Sequence, residues 1–312
     1  MADALSIPME TIEKLAAKAA GIDQPGGDKR LKLIVERILT DLFRTMVAFN
    51  VTPDEVWKGV AYIGEVGKRQ EAGLLAPGLA IEHFVDVMQD AADAKAGLSG
   101  GTPRTIEGPL YVAGAPVHEG TARLDDGTDA VAEPLFVNGV VRGQDGKPVA
   151  GASVEVWHAN RFGFYSHFDP TTTQTPFNLR GTIKTDANGR YSFRTIVPLG
   201  YGCPPDGPTA SLLKNMGRHS QRPAHVHFFV SAPGMRKLTT QFNIAGDPLT
   251  YDDFAFATRD GLVAEAKRVS DSAAMAARSV NKPFSEITFS FELQKEVAGA
   301  PSTVVHRDRA AA

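Results

Sequence analysis

Two histidines one residue apart are the first residues in this sequence that could do chemistry. His225 and His227 lie in "RPAHVHFFVSA", an apolar run that predicts a β-strand. Because successive side chains on a strand point to opposite faces, both imidazoles share one face and Val226 points away from it. Histidine is the commonest metal ligand, but structural histidines are also common. The pair alone therefore leaves a metal site and a hydrogen-bonded structural pair as alternatives.

Two tyrosines in unusual positions are candidates for further ligands. Tyr165 follows a predicted strand in "NRFGFYSHFDP", and Tyr201 lies in "PLGYGCPPDGP", a loop rich in Gly and Pro. A phenolate is an anionic oxygen donor, and its pKa of about 10 falls beside a strongly charged cation. Two phenolates, two neutral imidazoles and a hydroxide would balance the charge of Fe(III). In an alternative arrangement, His167 and Asp169 would contribute to a ferrous site with two histidines and one carboxylate.

Composition and charge limit the classes of protein. Of 312 residues, 33 are Lys or Arg and 36 are Asp or Glu, so the formal net charge of −3 gives no electrostatic case for a nucleic acid partner. The opening "MADALSIPME" lacks the segments of a secretory signal, and no run of about 18 apolar residues predicts a membrane span. We expect a cytoplasmic protein without integral membrane association. The single cysteine, Cys203, excludes a disulfide framework and a Cys-rich zinc site, and we expect it to be buried.

The apolar pattern changes near residue 100. Before "KAGLSGGTPRT" it has a helical period, which predicts helices over 31–49, from "NVTPDEVW" onwards and through "IEHFVDVMQDAADA". Thr52, Pro53 and Glu55 fit the N-cap, the first helical position and the capping-box position of the second helix. We predict a helical domain over residues 1–103. Its surplus apolar surface predicts a homodimer, and packing against the rest of the chain is the alternative.

Residues 104–312 have the pattern of a β-sandwich. Alternating apolar runs joined by turns at Asp145-Gly146 and Asn188-Gly189 indicate hairpins. Further strands are predicted in "AHVHFFVSA", "KLTTQFNIA" and "EITFSFELQ", and a helix is expected after Thr258. The predicted fold class is therefore α+β, with a mainly antiparallel β-sandwich that carries the candidate site and an N-terminal all-helical domain.

Several segments of the sequence resemble the intradiol ring-cleaving dioxygenases. They are "RTIEGPLYVAGAP", "VEVWHAN", "GFYSHFDP", "YGCPPDGPT", "GRHSQRPAHVHFFVSA" and "RKLTTQFNIAGDP". The resemblance extends over nearly the whole chain, including "RQEAGLLAPGLAIEHF" in the helical region, and no ligand position departs from the family pattern. It implies that one non-haem Fe(III) per subunit is bound by Tyr165, Tyr201, His225 and His227. In this pattern Tyr201 and His227 are the axial pair.

The resemblance also implies a reaction. The expected reaction is cleavage of catechol by O2 between its two hydroxyl-bearing carbons to give cis,cis-muconate, a step of bacterial aromatic degradation in the beta-ketoadipate pathway. Tyr201 would leave the metal and accept a proton from catechol. Arg222 would stabilise negative charge on the ring, and Gln241 would act beside it as a second polar orienting group. No external reductant is needed.

An apolar pocket is expected for the flat ring of the substrate. The family pattern assigns to this pocket Leu74, Pro77, Ile106, Pro109, Phe254 and Ala255. The resemblance further implies a homodimer formed through the N-terminal helices, and a tunnel at the dimer interface that in relatives can hold a phospholipid. The surplus apolar helix surface is the feature of this sequence that supports the tunnel.

Other functions remain open at the level of the sequence. The same chemistry could act on hydroxyquinol or chlorocatechols, because the pocket residues decide the substrate. A non-catalytic transthyretin-like or immunoglobulin-like binding module would share the strand pattern, but it does not explain the two tyrosines and the two histidines occurring together. A zinc hydrolase built on the histidine pair would need an acidic third ligand. His158 and His167 are expected to be structural partners of the site and not ligands.

Overall fold

The computed structural model describes residues 6–307 and residue 309. The chain divides into two compact units, of which the first ends at Lys68 and the second begins at Arg69. The first unit is helical, and the second contains the β-sandwich together with further helices, so the predicted α+β fold class is confirmed. The domain boundary predicted between residues 103 and 104 stays a prediction.

Helices dominate the first hundred residues and strands dominate the remainder. The helices are α1 Met9–Ala19, α2 Lys29–Ala48, α3 Pro53–Lys68, α4 Ala72–Gly78, α5 Ile81–Lys95, α6 Pro208–Asn215 and α7 Ser272–Ala277. The strands are β1 Val117–Glu119, β2 Thr121–Arg123, β3 Pro134–Gly143, β4 Ser153–Trp157, β5 Arg180–Lys184, β6 Arg190–Ile196, β7 Tyr201–Gly202, β8 Gln221–Arg222, β9 His225–Ser231, β10 Leu238–Ile244, β11 Val263–Ala264, β12 Lys267–Val269, β13 Phe284–Thr288 and β14 Phe291–Leu293. In the part of the chain that the structure describes, none of the helices is long and apolar enough to cross a bilayer.

Local sequence signals set the starts of α2 and α3. The side chain of Asp28 accepts hydrogen bonds from the backbone N–H groups at the start of α2. The predicted capping box of α3 is confirmed, because Glu55 N donates to Thr52 Oγ1 at 3.3 Å and Thr52 N donates to Glu55 Oε2 at 2.8 Å. Pro53 is the first residue of α3, where its missing N–H costs nothing.

Two six-stranded sheets form the sandwich. One has the strand order β1-β5-β4-β9-β10-β11 and the other β12-β13-β3-β6-β2, with β14 also paired to β3. The central pairs β5-β4-β9-β10 and β3-β6 are antiparallel, while edge strands such as β1, β2 and β11 pair in parallel. The sheets are therefore mixed, with an antiparallel centre. Strand β9, which carries both candidate histidines, lies in the middle of its sheet.

The alternation along β9 directs its residues to two environments. Val226, Phe228 and Val230 belong to the apolar core that both sheets share. Phe228 lies 6.3 Å from Phe193 of the opposite sheet, measured between ring centroids. Because a core side chain of this size contributes about 2 to 3 kcal/mol by burial, these residues fix the register of β9. The histidines are therefore held on the other face.

The helix expected after Thr258 is absent there. Gly261 has a φ of +81°, and Val263–Ala264 forms β11, which pairs in parallel with β10. Asn243 N donates to Leu262 O at 2.8 Å, so the edge of β10 supplies backbone partners that a helix in this segment would lose. The next helix, α7, begins only at Ser272. The prediction was wrong because the sheet edge outweighed local helix propensity.

Candidate metal centre

Three segments of the second unit position the candidate ligands. His225 and His227 lie on β9, and Tyr165 lies in the loop that follows β4. Tyr201 begins β7, which pairs with β8 so that Tyr201 is directly opposite Arg222. The Tyr165 loop approaches Tyr201 closely, because a Cβ placed on Gly163 would lie 3.0 Å from the Cβ of Tyr201. Only glycine leaves room for that approach.

The candidate ligand atoms converge around His225. Its Nε2 atom lies 3.1 Å from His227 Nε2 and 3.3 Å from the Tyr165 hydroxyl. The Tyr201 ring centroid lies 5.3 Å from that of Tyr165 and 5.4 Å from that of His225. Arg222 Nη1 donates to His225 Nε2 at 3.0 Å and to the Tyr201 hydroxyl at 3.5 Å. The structure thus brings the four predicted ligands together, with one guanidinium beside them.

Burial keeps Tyr165, His225 and His227 neutral in the protein alone. The relative exposure is 2% for Tyr165, 2% for His225 and 1% for His227. Burial, with a further contribution from Tyr201, raises the pKa of Tyr165 well above its ordinary value. Burial also lowers the pKa of both histidines well below the ordinary value, and the positive charge of Arg222 adds to this effect. Neutral imidazoles are the form that binds metal, whereas ionising the Tyr165 phenol requires an additional positive charge.

The hydrogen bonds of the histidines leave nitrogen lone pairs for a metal. His225 Nδ1 donates to Pro223 O at 2.7 Å, so its Nε2 carries the lone pair that faces the cluster. His227 stacks on Trp157 with ring centroids 4.9 Å apart and an interplanar angle of 3°. Among the described residues its buried Nδ1 has no hydrogen-bond partner. Two converging imidazoles and two phenols therefore fit a metal that accepts both nitrogen and anionic oxygen donors.

Arg222 is held by a buried polar network. It donates to Asp253 through Nε at 3.2 Å and through Nη2 at 3.0 Å, and its Nη2 also donates to Gln241 Oε1 at 2.9 Å. Gln241 Nε2 in turn donates to Asn243 Oδ1 at 2.6 Å. Burial lowers the pKa of Arg222, but the carboxylate of Asp253 and the phenol of Tyr201 outweigh that effect and raise it. Arg222 therefore stays charged beside the cluster.

Several residues assigned to a substrate pocket pack together, and Phe254 and Ala255 directly follow Asp253, which accepts from Arg222. Ile106, Phe254 and Ala255 form one buried apolar cluster, and Leu74 packs against it. Pro77 is buried in α4. Pro109 contacts the same helix, since a Cβ on Gly73 would lie 2.9 Å from the Cβ of Pro109. Cys203 belongs to the apolar cluster, so its predicted burial is confirmed.

His158 and His167 make structural contacts. His158 is buried, and its two ring nitrogens lie 2.7 Å from Ala159 O and 2.7 Å from Thr195 Oγ1, so its predicted structural role is confirmed. His167 Nε2 accepts from Phe177 N at 3.2 Å, and Asp169 accepts from threonines of its own loop. Within residues 6–307 and 309, no group of three or more His, Cys, Asp or Glu side chains is arranged to hold a metal ion.

Two contacts of the cluster were missing from the sequence predictions. Asp253 neutralises Arg222, and Trp157 covers one face of His227. The strand "VEVWHAN" gave a signal for Trp157, because a strand that pairs with "HVH" can place a residue opposite one of its histidines. Asp253 gave a weaker signal, as an acidic residue in the apolar stretch "DDFAFA". Strand pairing brings Trp157 to the site, and a buried ion pair with Arg222 holds Asp253 there from the loop between β10 and β11.

A β-sandwich that gathers two buried imidazoles, one buried phenol and one half-buried phenol around one point has the donor set of a non-haem metal centre. A family model described as "Dioxygenase" matches residues 106–295, and one described as "Catechol dioxygenase N terminus" matches residues 28–97. The chain belongs to the intradiol ring-cleaving dioxygenase family, most closely to its catechol 1,2-dioxygenase branch.

Relatives of this chain support the same assignment. It is 53% identical to a catechol 1,2-dioxygenase of Acinetobacter baylyi over 302 residues, which is 97% of either chain. A solved catechol 1,2-dioxygenase from Acinetobacter sp. ADP1, inhibited by bound mercury, matches with a TM-score of 0.95 and 52% identity, covering 99% of this chain and 100% of that one. A hydroxyquinol 1,2-dioxygenase of Rhizobium sp. is less similar, at 34% identity over 86% of this chain and 89% of the relative.

Proposed function

We propose that this chain cleaves catechol with O2 between its two hydroxyl-bearing carbons and releases cis,cis-muconate. The observation that carries the proposal is the convergence of two buried imidazole nitrogens, 3.1 Å apart, with two phenols and the charged Arg222. The similarity to relatives named catechol 1,2-dioxygenase favours catechol over hydroxyquinol, for which the named relative is only 34% identical. Catechol is therefore the proposed substrate.

One Fe(III) per subunit is the proposed cofactor, and Tyr165, Tyr201, His225 and His227 would hold it. The chemistry of the donors supports a trivalent ion, because the buried phenol of Tyr165 has a raised pKa and needs a strong positive charge to ionise. When bound, ferric iron supplies Lewis acidity and draws electron density from a bound catecholate, which makes the ring reactive towards O2 without an external reductant.

Tyr201 is the proposed acceptor for a proton of the substrate. Catechol can chelate a metal only after both of its hydroxyl groups lose their protons, of which Tyr201 would receive one and the hydroxide that completes the site would receive the other. Tyr201 is only partly buried, whereas Tyr165 is enclosed. The Tyr201 hydroxyl lies 3.5 Å from Arg222 Nη1. Tyr165 would remain an enclosed ligand during turnover.

Arg222 is proposed to stabilise negative charge that develops on the substrate oxygen and ring. Asp253 and Gln241 fix its planar guanidinium before substrate arrives, so little reorganisation is needed during the reaction. The Asp253 carboxylate also prevents an uncompensated buried charge. Gln241 is therefore proposed to act through Arg222 as an orienting residue.

The apolar pocket is proposed to position the ring and exclude water. Its proposed walls are Leu74, Pro77, Ile106, Pro109, Phe254 and Ala255. Polar contacts would then be restricted to the hydroxyl-bearing edge of the ring, which faces the metal ligands and Arg222. This division between an apolar body and one polar edge suits a flat catechol.

A homodimer formed through the N-terminal helices is also proposed. Helix α2 has no buried residue, and large apolar side chains of this unit are open to solvent, with exposures of 79% for Phe49, 69% for Trp57 and 72% for Ile63. Such a surface requires a partner. We further propose that a phospholipid occupies a tunnel at this interface, and that the enzyme works in the bacterial cytoplasm in the beta-ketoadipate pathway. Sedimentation, and mass spectrometry of an organic extract, would test the dimer and the lipid.

Oxygen consumption with catechol is the decisive experiment. Purified protein is mixed with catechol without reductant, and O2 uptake and the ultraviolet spectrum of the product are recorded together with the iron content. We expect uptake of one O2 per catechol, the spectrum of cis,cis-muconate, and a visible charge-transfer band from phenolate to ferric iron. A semialdehyde product would contradict the position of cleavage. A colourless protein without stoichiometric iron would contradict the metal centre.

A further inference from the structure

Two short helices, α4 and α6, are linked at both ends by side chains that the reaction does not use. The side chain of Glu71 lies directly before α4 and accepts a hydrogen bond from Thr209 N in the first turn of α6 at 2.9 Å. At the other end, Arg218 Nη1 donates to Gly78 O, the last residue of α4, at 2.7 Å. Glu71 fits closely enough that a Cβ on Gly207 would lie 2.0 Å from its Oε1 atom.

The end of α6 determines where Arg218 points. Gly217 has a φ of +73°, its N–H donates to Lys214 O at 3.0 Å, and Arg218 N donates to Leu213 O at 2.8 Å. This pair of hydrogen bonds is a Schellman motif, which ends a helix and directs the next residue back across it. Leu213 is fully buried in the same apolar cluster as Phe254. The motif therefore anchors Arg218 beside the proposed pocket.

Arg218 also contacts the opposite wall of the pocket. Its Nη2 donates to Phe254 O at 3.0 Å, and its guanidinium carbon lies 4.7 Å from the ring centroid of Phe256. The planar fork of arginine can reach two carbonyls at once, whereas lysine offers a single ammonium group. One guanidinium thus joins the end of α4 to the segment that follows Asp253.

These two segments carry the proposed pocket walls. Leu74 and Pro77 lie on α4, and Phe254 and Ala255 lie on the other segment. The walls touch near Gly78, where an added Cβ would lie 3.4 Å from Phe254 Cε2. A change in the distance between the two segments changes the width of the slot that receives the ring.

We propose that Arg218, with Glu71 as the second anchor, is a specificity-determining positioning residue that holds the pocket at the width of an unsubstituted catechol. This inference rests on the proposed function. Without the guanidinium, the last carbonyl of α4 and the Phe254 carbonyl lose their shared donor, and the walls separate more easily. A wider slot admits a ring substituent that the closed slot rejects.

The test compares Arg218→Gln and Arg218→Lys with the wild type and with Arg278→Gln. Arg278 is a matched control, because it also lies over an aromatic ring, Phe136 at 4.8 Å, and forms an ion pair, but it contacts neither pocket wall. For each protein, kcat and KM are measured with catechol and with 4-methylcatechol at equal iron content. We expect Arg218→Gln to lower the preference for catechol, as the ratio of kcat/KM values, roughly fivefold to tenfold. The preference of Arg218→Lys should lie between those of Arg218→Gln and the wild type, and the preference of Arg278→Gln should equal that of the wild type.

A second readout does not depend on activity. Hydrogen–deuterium exchange of residues 72–80 and 253–257 should become at least about threefold faster in Arg218→Gln and stay unchanged in Arg278→Gln. Equal losses with both substrates, or an unchanged preference, would overturn the proposal. If Arg218→Gln fails to fold with iron, an unchanged preference in Arg218→Lys would overturn it. A wild type without O2 uptake would contradict the proposed function. The exchange rates would still show whether Arg218 holds the two segments together.

Discussion

The N-terminal helical unit and the β-sandwich treat their apolar residues in opposite ways. Helix α2 runs for 20 residues without one buried side chain, whereas six of the seven residues of β9 are buried. The sandwich also buries polar groups, which are costly unless they have partners. The sandwich therefore buries its own apolar side chains and holds a polar site among them, while the helices of the first unit leave large apolar side chains exposed.

The strongest test of this comparison removes one polar group from the sandwich site. Tyr201→Phe should preserve the fold but lower kcat by about 10² to 10⁴-fold, because a proton acceptor for catechol is lost. Circular dichroism and O2 uptake would measure the two effects. Tyr251→Phe is the control, since Tyr251 is exposed, and it should keep full activity. Turnover of Tyr201→Phe close to that of the wild type would refute the role proposed for this hydroxyl.

The second test compares one apolar residue from each region. Phe228→Ala in the shared core should lower the free energy of unfolding by about 3 to 5 kcal/mol, because it leaves a cavity between the sheets. Ile63→Ser on α3 should change it by less than about 1 kcal/mol, because that side chain is exposed. Denaturant titration gives both values. In sedimentation experiments Ile63→Ser should instead weaken self-association about tenfold or more, and unaltered association would break the comparison.

Metal removal is the third test. If the four ligands belong to one Fe(III), chelation should lower the stability of the sandwich by up to about 4 kcal/mol, as expected for a ligand that binds only the folded state. Calorimetry before and after chelation, and after iron is restored, measures the change. The visible band should disappear and return in parallel. If the midpoint of thermal unfolding is the same with and without iron, the two histidines and two tyrosines have a structural role and do not bind the metal.

The last test concerns Asp86 on α5, which belongs to the second unit. Burial raises the pKa of Asp86 to about 7 from 3.8, with Arg259 and Arg104 opposing the rise and Glu82 and Asp90 adding to it. Since the folded protein binds this proton more tightly than the unfolded chain, stability falls as the pH rises from about 4 to about 7. Asp86→Asn should remove this slope. From about pH 4 to about pH 7, the free energy of unfolding of Asp86→Asn relative to that of the wild type should increase by no more than about 4 kcal/mol.

Urea titrations at several pH values would measure this difference. Asp54→Asn offers a control, because Asp54 lies on the exposed face of α3. A difference between Asp86→Asn and the wild type that stays constant from pH 4 to pH 7 would contradict the raised pKa of Asp86.

The sequence by itself determined much of the site and of the fold class. The spacing of His225 and His227 fixes that they share a face, because a strand alternates with period two. Turn residues and capping signals are local, so the turns at Asp145-Gly146 and Asn188-Gly189 and the start of α3 could be read from neighbouring residues. The hairpins predicted at these turns were wrong, because the strands on either side of each turn, β3 and β4 or β5 and β6, lie in different sheets. Their positions made Tyr165 and Tyr201 candidates, and the resemblance connected them to the histidines, which spacing along the chain could not do.

Only the tertiary structure decided which distant groups meet. Strand pairing places Trp157 opposite His227, and Asp253 reaches Arg222 across 31 residues of chain. The edge of β10 turned the segment after Thr258 into a strand, and the turn at Gly217 aimed Arg218 at two carbonyls. Such contacts depend on the packing of segments far apart in the chain, where buried charges and backbone groups must find partners, and no local pattern of residues specifies that packing.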